Sequence, residues 1–243
     1  MENPKVLIGI TCSFHKEYCL NKFLEGLKAL TYPNKDILFV ENSKNDDYFN
    51  KLKFLGLNVI KGPYFESPIK SISASRNILI DKTLNEGYDY LFSLDQDTIP
   101  PKNAIEKFLS HNKKVTCGVV FTRILTNGKF VLTPDVFKVV PNTEDETGLP
   151  SMNWLSQEEI DSNKLFQIAS CGAGCLLLYR DILKEVRFKE DLEQFEDRHF
   201  CIDLFRKNIP IFCDTSVKCK HYVFNRPYLW KEGKLYKRED LIK

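Results

Sequence analysis

Two rhythms of apolar residues alternate along the first hundred positions. Residues 5–11 (KVLIGIT) form a short run rich in β-branched side chains, and Leu20, Phe23, Leu24, Leu27 and Leu30 then recur at helical spacing over 16–30. The alternation repeats with a strand at 36–41 (DILFVE), a short helix at 44–55 and a strand at 57–60. A helix at 69–86 follows, closed by Gly87, and then a strand at 88–94. Such alternation predicts an α/β fold: a central, mostly parallel sheet flanked by helices and joined by right-handed crossovers.

Beyond Pro101 the order loosens into a smaller mixed part. Residues 102–110 read as a helix, 114–122 (KVTCGVVFT) as a strand, and 128–132 as its hairpin partner. Residues 134–163 are polar and punctuated by Pro141, Gly148 and Pro150, the pattern of a surface excursion. Strands are expected again at 165–169, 175–179, 210–213 and 216–221, with helices near 180–186 and 197–207.

In an open parallel sheet, ligands bind outside the carboxyl ends of the strands, so the residues just after each strand carry the chemistry. Those are Thr11 and Ser13, then Glu41, Asn42 and Ser43, then Asp95 and Asp97. Asp95 and Asp97 stand one residue apart where the apolar run Leu91, Phe92, Leu94 stops ahead of Pro100 and Pro101. Paired acids on a turn are either solvated turn formers or hard oxygen ligands for Mg²⁺ or Mn²⁺. Asn42 and Ser43 read equally as caps of the next helix, whereas Glu41 caps poorly and suits a ribose or base contact.

Arg76 falls within the apolar stripe Ile72, Leu79, Ile80 and Thr83, so it points inward and requires an anion. That anion is a ligand phosphate or one of the two aspartates. Glu196 and Asp197 open a helix, where they cap it or project as a general base. His221 ends the last strand as a metal ligand or a core histidine. Gly172 and Gly174 permit a backbone to approach a ligand, or serve a turn.

Composition narrows the class. At 243 residues and 43% hydrophobic content the chain can bury a full core, and one folding unit is expected. With 35 basic against 33 acidic residues, no field advertises nucleic acid. No stretch reaches a membrane span and the N-terminus lacks a secretory leader, so a cytoplasmic protein is expected, with its eight cysteines reduced. Cys12, Cys117 and Cys175 read as core, and Cys213, Cys219 and His221 lack the CxxC partner of a zinc site. The tail, 226–243, carries six basic and three acidic residues among Tyr228, Leu229, Trp230 and Tyr236, which suits a lid, peripheral contact with an anionic membrane, or a solvated terminal helix.

Taken in order, these motifs resemble the GT-A fold glycosyltransferases of the family-2 type. The strand ending in Thr11, Val40-Glu41-Asn42-Ser43, Ser75-Arg76-Asn77 and Leu94-Asp95-Gln96-Asp97 carry the first half of the resemblance. Residues 171–180 (CGAGCLLLYR), 186–188 (VRF), Glu196-Asp197, 208–212 (NIPIF) and 217–221 (VKCKH) carry the second. The resemblance implies a single GT-A-type domain over 1–225, with a donor-binding half at 1–101 and an acceptor and catalytic half at 102–225. It also implies a nucleotide-diphosphate sugar donor, such as a UDP- or GDP-sugar, and a glycan, lipid-linked or protein acceptor. Thr11, Glu41, Arg76, Asn77 and Asp95 would contact the donor. Asp95, Asp97 and His221 would hold Mn²⁺ or Mg²⁺, and Asp197, or Glu196 beside it, would be the base of a single inverting displacement. Two other classes share the fold pattern. A sugar-phosphate nucleotidylyltransferase wants a Gly-rich basic loop after the first strand, where this chain has Thr11-Cys-Ser-Phe-His-Lys16. A non-catalytic binding module would not need the acids.

Overall fold

The computed structural model describes residues 3–126, 129–144, 149–190, 195–223, 228–231 and 234–237, with side chains left out at 124–126, 129–130 and 228–237. Its first half follows the apolar rhythm. Strand β1 (Val6–Cys12) leads through a 3₁₀ turn (Phe14–Cys19) into α1 (Leu20–Ala29), followed by β2 (Lys35–Glu41), α2 (Asp47–Phe54) and β3 (Val59–Lys61). Helix α3 (Pro68–Asn85) starts where the Ser67 side chain accepts from the Lys70 amide and Pro68 supplies a preset first turn. Strand β4 (Tyr90–Asp95) and the short β5 (Thr98–Ile99) then flank the acidic turn, ahead of α4 (Ala104–Ser110). Strands β3, β2, β1 and β4 are mutually parallel.

The second half extends the sheet with mixed polarity. Strand β6 (Val115–Val119) is followed by the hairpin β7 (Phe121–Thr126) and β8 (Lys129–Pro134), then by β9 (Val136–Glu144), β10 (Pro150–Trp154), α5 (Gln157–Asp161), β11 (Leu165–Ile168) and β12 (Ser170–Cys171). Strand β13 (Cys175–Tyr179) lies antiparallel to both β4 and β6. Helices α6 (Arg180–Glu185) and α7 (Glu196–Arg206) precede β14 (Ile211–Lys218), which runs parallel to β6, and the short β15 (Lys220–His221). The eight-stranded order is β11-β14-β6-β13-β4-β1-β2-β3.

Alternation along β1 divides the core between the two sheet faces. Val6, Ile8 and Ile10 pack with Phe23, Phe39, Phe92 and Phe108 on one face, and Leu7 packs with Leu79, Ile80 and Leu91 on the other. Gly9 belongs to the second face, where an added Cβ would meet Leu91 at 2.8 Å and Leu79 at 2.9 Å; its lack of a side chain lets α3 settle onto β1.

Four expectations are corrected. The run at 114–122 is broken at Val120, whose carbonyl accepts from the Asp135 amide at 2.7 Å, so its first part joins the main sheet and its second the hairpin. The stretch at 134–163 is not an unstructured excursion: β9, β10 and β12 form a three-stranded sheet, and Ser156 and Glu159 close a capping box on α5. Its polarity reflects a sheet with much of its surface facing water, since β9 alternates only weakly and ends exposed. The two late strands are one strand, β14, followed by β15. Where a terminal helix is one expectation for the tail, its described residues form an antiparallel hairpin, β16 (Tyr228–Lys231) with β17 (Lys234–Lys237), and the rest of 224–243 lies outside the described residues. Among the described residues, no helix is long and apolar enough to cross a membrane.

Candidate active site

Asp97, at the end of the turn that follows β4, has no exposed surface. A buried carboxylate needs opposite charge on its oxygens. Lys16 supplies it to one side, with Nζ 3.0 Å from Oδ1, and the same ammonium lies 3.6 Å from Oδ2 of Asp95. Gln96, between the two acids, donates to the Lys16 carbonyl at 2.9 Å and to the Tyr48 hydroxyl at 2.6 Å, which ties the 3₁₀ turn to the acidic turn.

His221 meets Asp97 from the far end of the chain. Antiparallel pairing of β15 with β5 sets His221 beside Thr98, and the Tyr222 amide donates to the Asp97 carbonyl. Nε2 then lies 3.5 Å from Asp97 Oδ2, while Nδ1 lies 2.6 Å from the Phe121 carbonyl. A carbonyl only accepts, so Nδ1 carries a proton. In the neutral ring Nε2 therefore presents a lone pair to a carboxylate, an arrangement that a proton or a metal ion stabilises.

Arg76 joins this cluster to the helix that bears the predicted base. From α3 its Nη2 reaches Asp95 Oδ1 at 2.9 Å, and Nη1 donates to the Ser93 hydroxyl at 2.6 Å and to the Ala173 carbonyl at 3.1 Å. Nε lies 3.4 Å from Glu196 Oε1, and the guanidinium sits over the Phe188 ring. The anion required by an inward arginine is thus found within the protein. Burial would raise the Asp95 carboxyl, but Lys16 and Arg76 outweigh it and hold the group below its usual range.

Asp197 follows Glu196 in the first turn of α7 and accepts from the Arg198 amide at 2.7 Å. Burial, reinforced by the charges of Glu196 and Asp135, drives its carboxyl well above the ordinary value. Asp135 was not singled out by the sequence, because its neighbourhood looked like a polar loop. It immediately precedes β9, its carboxylate touches the position a side chain at Gly172 would fill, and Asp197 Oδ2 is 3.6 Å from that same point. Two carboxylates therefore flank one glycine, and burial pushes Asp135 up to about 6. Gly174 does the same for Asp95, whose Oδ2 would lie 3.2 Å from an added Cβ. Lys16 was also passed over: a lysine in a turn carries no signal of its own.

The remaining predicted residues divide. Thr11 stands in the cluster, donating to Asp95 Oδ1 at 3.2 Å. Glu41 is fully buried at the end of β2, with Lys61 Nζ on one oxygen at 2.8 Å and the Ser43 amide on the other at 2.7 Å, so both its oxygens are engaged inside the protein. Asn77 spends its amide on the Phe188 backbone, donating to the carbonyl at 2.8 Å and accepting from the amide at 3.0 Å. Asn42 bonds Ser75, and Ser43 accepts from the Phe14 amide.

A divalent ion is compatible with this donor set. Ligand atoms about 2.1 Å from one octahedral ion lie about 3 Å apart, near the separation of the Asp97 oxygen and His221 Nε2, and Nδ1 is already held by a carbonyl as metal-bound imidazoles usually are. Asp95 is brought in through the shared Lys16 ammonium. Among the described residues, no three carboxylate, imidazole or thiol groups already close on a single point. The eight cysteines are free and buried, so Cys213 and Cys219 add core and not a zinc site to His221.

The family model described as glycosyl transferase family 2 matches residues 10–187. A search of curated proteins finds no match. Among solved structures, S. aureus TarS 1–349 in complex with UDP-GlcNAc is similar at 14% identity and a TM-score of 0.51, over 89% of this chain and 56% of that one. A197 from STIV is similar at 16% identity and a TM-score of 0.47, over 96% of this chain and 93% of that one. The chain thus spans little more than half of the TarS fragment.

Proposed function

The chain belongs to the glycosyl transferase family 2, with a GT-A-type α/β domain, and on that premise we propose the reaction and the roles of its residues. The reaction is transfer of a sugar from a nucleotide-diphosphate donor to an acceptor hydroxyl, by a single displacement that inverts the anomeric carbon. The observation that carries this reading is the enclosed Asp97–His221 contact at the sheet rim, linked by Arg76 and Asp95 to a carboxylate of raised basicity on α7.

Asp97, His221 and Asp95 would hold Mn²⁺ or Mg²⁺, which supplies positive charge against the departing diphosphate. Thr11 and Arg76 fix the orientation of Asp95, and Arg76 keeps its own charge because Asp95 and Glu196 outweigh the cost of its burial. Asp197 accepts the proton of the acceptor hydroxyl as the oxygen attacks. A carboxylate whose proton affinity is raised by burial and by Glu196 and Asp135 is the stronger base for that step. Glu196 acts through Arg76, holding the start of α7 against the acid cluster.

UDP- and GDP-sugars are the donors to test first, and the UDP-GlcNAc complex of TarS supports beginning with UDP. The acceptor is a glycan, a lipid-linked sugar or a protein hydroxyl. The test is sugar transfer and donor hydrolysis by the full chain with Mn²⁺, beside Asp197→Asn. The variant should bind donor like the parent and lose at least about a hundredfold in transfer. Near-normal turnover would move the base to Glu196 or remove the mechanism.

A further inference from the structure

Lys16 stands where the proposed ion would have to act. Its ammonium is 3.0 Å from one Asp97 oxygen and 3.6 Å from an Asp95 oxygen, while His221 faces the other Asp97 oxygen. Asp97 is wholly buried, so Lys16 offsets a charge that would otherwise be costly to enclose. A divalent ion held by the second Asp97 oxygen, His221 and Asp95 would share both carboxylates with that ammonium, and two cations on the same carboxylates repel strongly. An ion entering between Asp95 and Asp97 must therefore move the ammonium away.

Lys16 can move at small cost. It lies on the 3₁₀ turn after β1, its side chain retains 24% exposure, and its four-carbon stem is flexible. Its backbone stays fixed, because Gln96 donates to its carbonyl and the Lys16 amide donates to Ser13. The displaced ammonium remains at the sheet rim, within reach of whatever anion the cleft has taken up. The anion of a nucleotide-sugar donor is its diphosphate.

Resting on the metal reading above, we propose that Lys16 is an exchangeable counter-ion: it holds Asp97 and Asp95 while the site is empty, then transfers to the donor diphosphate as the divalent ion enters. Metal and nucleoside diphosphate then bind with positive coupling, and by linkage each strengthens the other by the same factor.

The experiment titrates Mn²⁺ into the full chain, following the free-ion paramagnetic resonance signal, with and without UDP or GDP. The parent should bind Mn²⁺ weakly alone and more tightly with whichever nucleotide binds. Lys16→Met should bind Mn²⁺ alone on the order of tenfold more tightly than the parent, and the nucleotide should add correspondingly less. Lys16→Arg, which keeps the charge, should resemble the parent. Should Lys16→Met unfold in metal-free buffer, Mn²⁺ should restore its melting temperature, and Lys16→Gln should behave alike. Equal Mn²⁺ affinities for parent and Lys16→Met, or no gain from nucleotide in the parent, overturn the exchange while leaving the metal site standing. Nucleotide binding with no Mn²⁺ bound under any condition overturns the metal site itself.

Discussion

Replacing Arg76 with Met removes a guanidinium that is 4% exposed and serves four partners: Asp95 at 2.9 Å, Ser93 at 2.6 Å, the Ala173 carbonyl at 3.1 Å and Glu196 at 3.4 Å. The methionine fills much of the same space, so lost packing is a minor part of the cost. What remains is one buried carboxylate, Glu196, and one partly buried, Asp95, without their shared cation. Breaking a buried pair by deleting one partner costs about 3–5 kcal/mol, a large share of the roughly 5–15 kcal/mol that holds a domain folded. Urea unfolding at pH 7 should therefore show an unfolding free energy lowered by about that amount, read as a lower midpoint at an unchanged slope. Arg76→Lys, which keeps the charge but not the fork, should fall between parent and Met. The decisive comparison is Arg76→Met combined with Asp95→Asn and Glu196→Gln: if stranded charge is the cause, neutralising both acids should recover most of the loss. A triple variant as unstable as the single one, or a single-variant cost below about 1 kcal/mol, would refute the reasoning.

Asp135→Asn tests the crowded carboxylates through pH. The folded group is raised to about 6 from an unfolded value near 3.9, so the native state binds its proton more readily. Its contribution is therefore intact below about pH 4 and is lost as pH rises through about 6, up to roughly 3 kcal/mol by pH 7. The stability of Asp135→Asn relative to the parent should improve by up to that amount between pH 4 and 7 in urea titrations; a difference constant with pH would contradict it. Asn77→Ala should cost about 1–3 kcal/mol by chemical unfolding, because the Phe188 amide and carbonyl both lose their partner, and an unchanged midpoint would show that water replaces the amide without loss.

What could be read in the sequence was whatever periodicity or punctuation exposes. Arg76 stood out because a charge inside an apolar helical stripe must point inward, and α3 does bury it. The acid turn stood out because an apolar strand stops at Asp95. Asp135 was hidden because β9, which follows it directly, leaves the surface of its small sheet partly in water, so that strand carries little apolar alternation and reads as loop. Lys16 was hidden for a different reason: the contact joins the turn after β1 to the turn after β4, and only their neighbouring strands in the sheet bring them together. Glu41 looked available at a strand end, but its pairing with Lys61 depends on β2 lying beside β3, again a tertiary fact. Family membership was legible because it rests on the order of motifs and not on any single contact.

The central claim is that the cluster around Asp97 binds a nucleotide-sugar donor through a divalent ion. Calorimetric titration of UDP- and GDP-sugars into the full chain, with Mn²⁺ and then with excess chelator, addresses it most directly, repeated on Asp97→Asn. The account predicts binding of at least one donor that falls at least about tenfold when the metal is chelated, and by as much in the variant with metal present. Donor binding of equal strength with and without Mn²⁺, unaffected by Asp97→Asn, would contradict it.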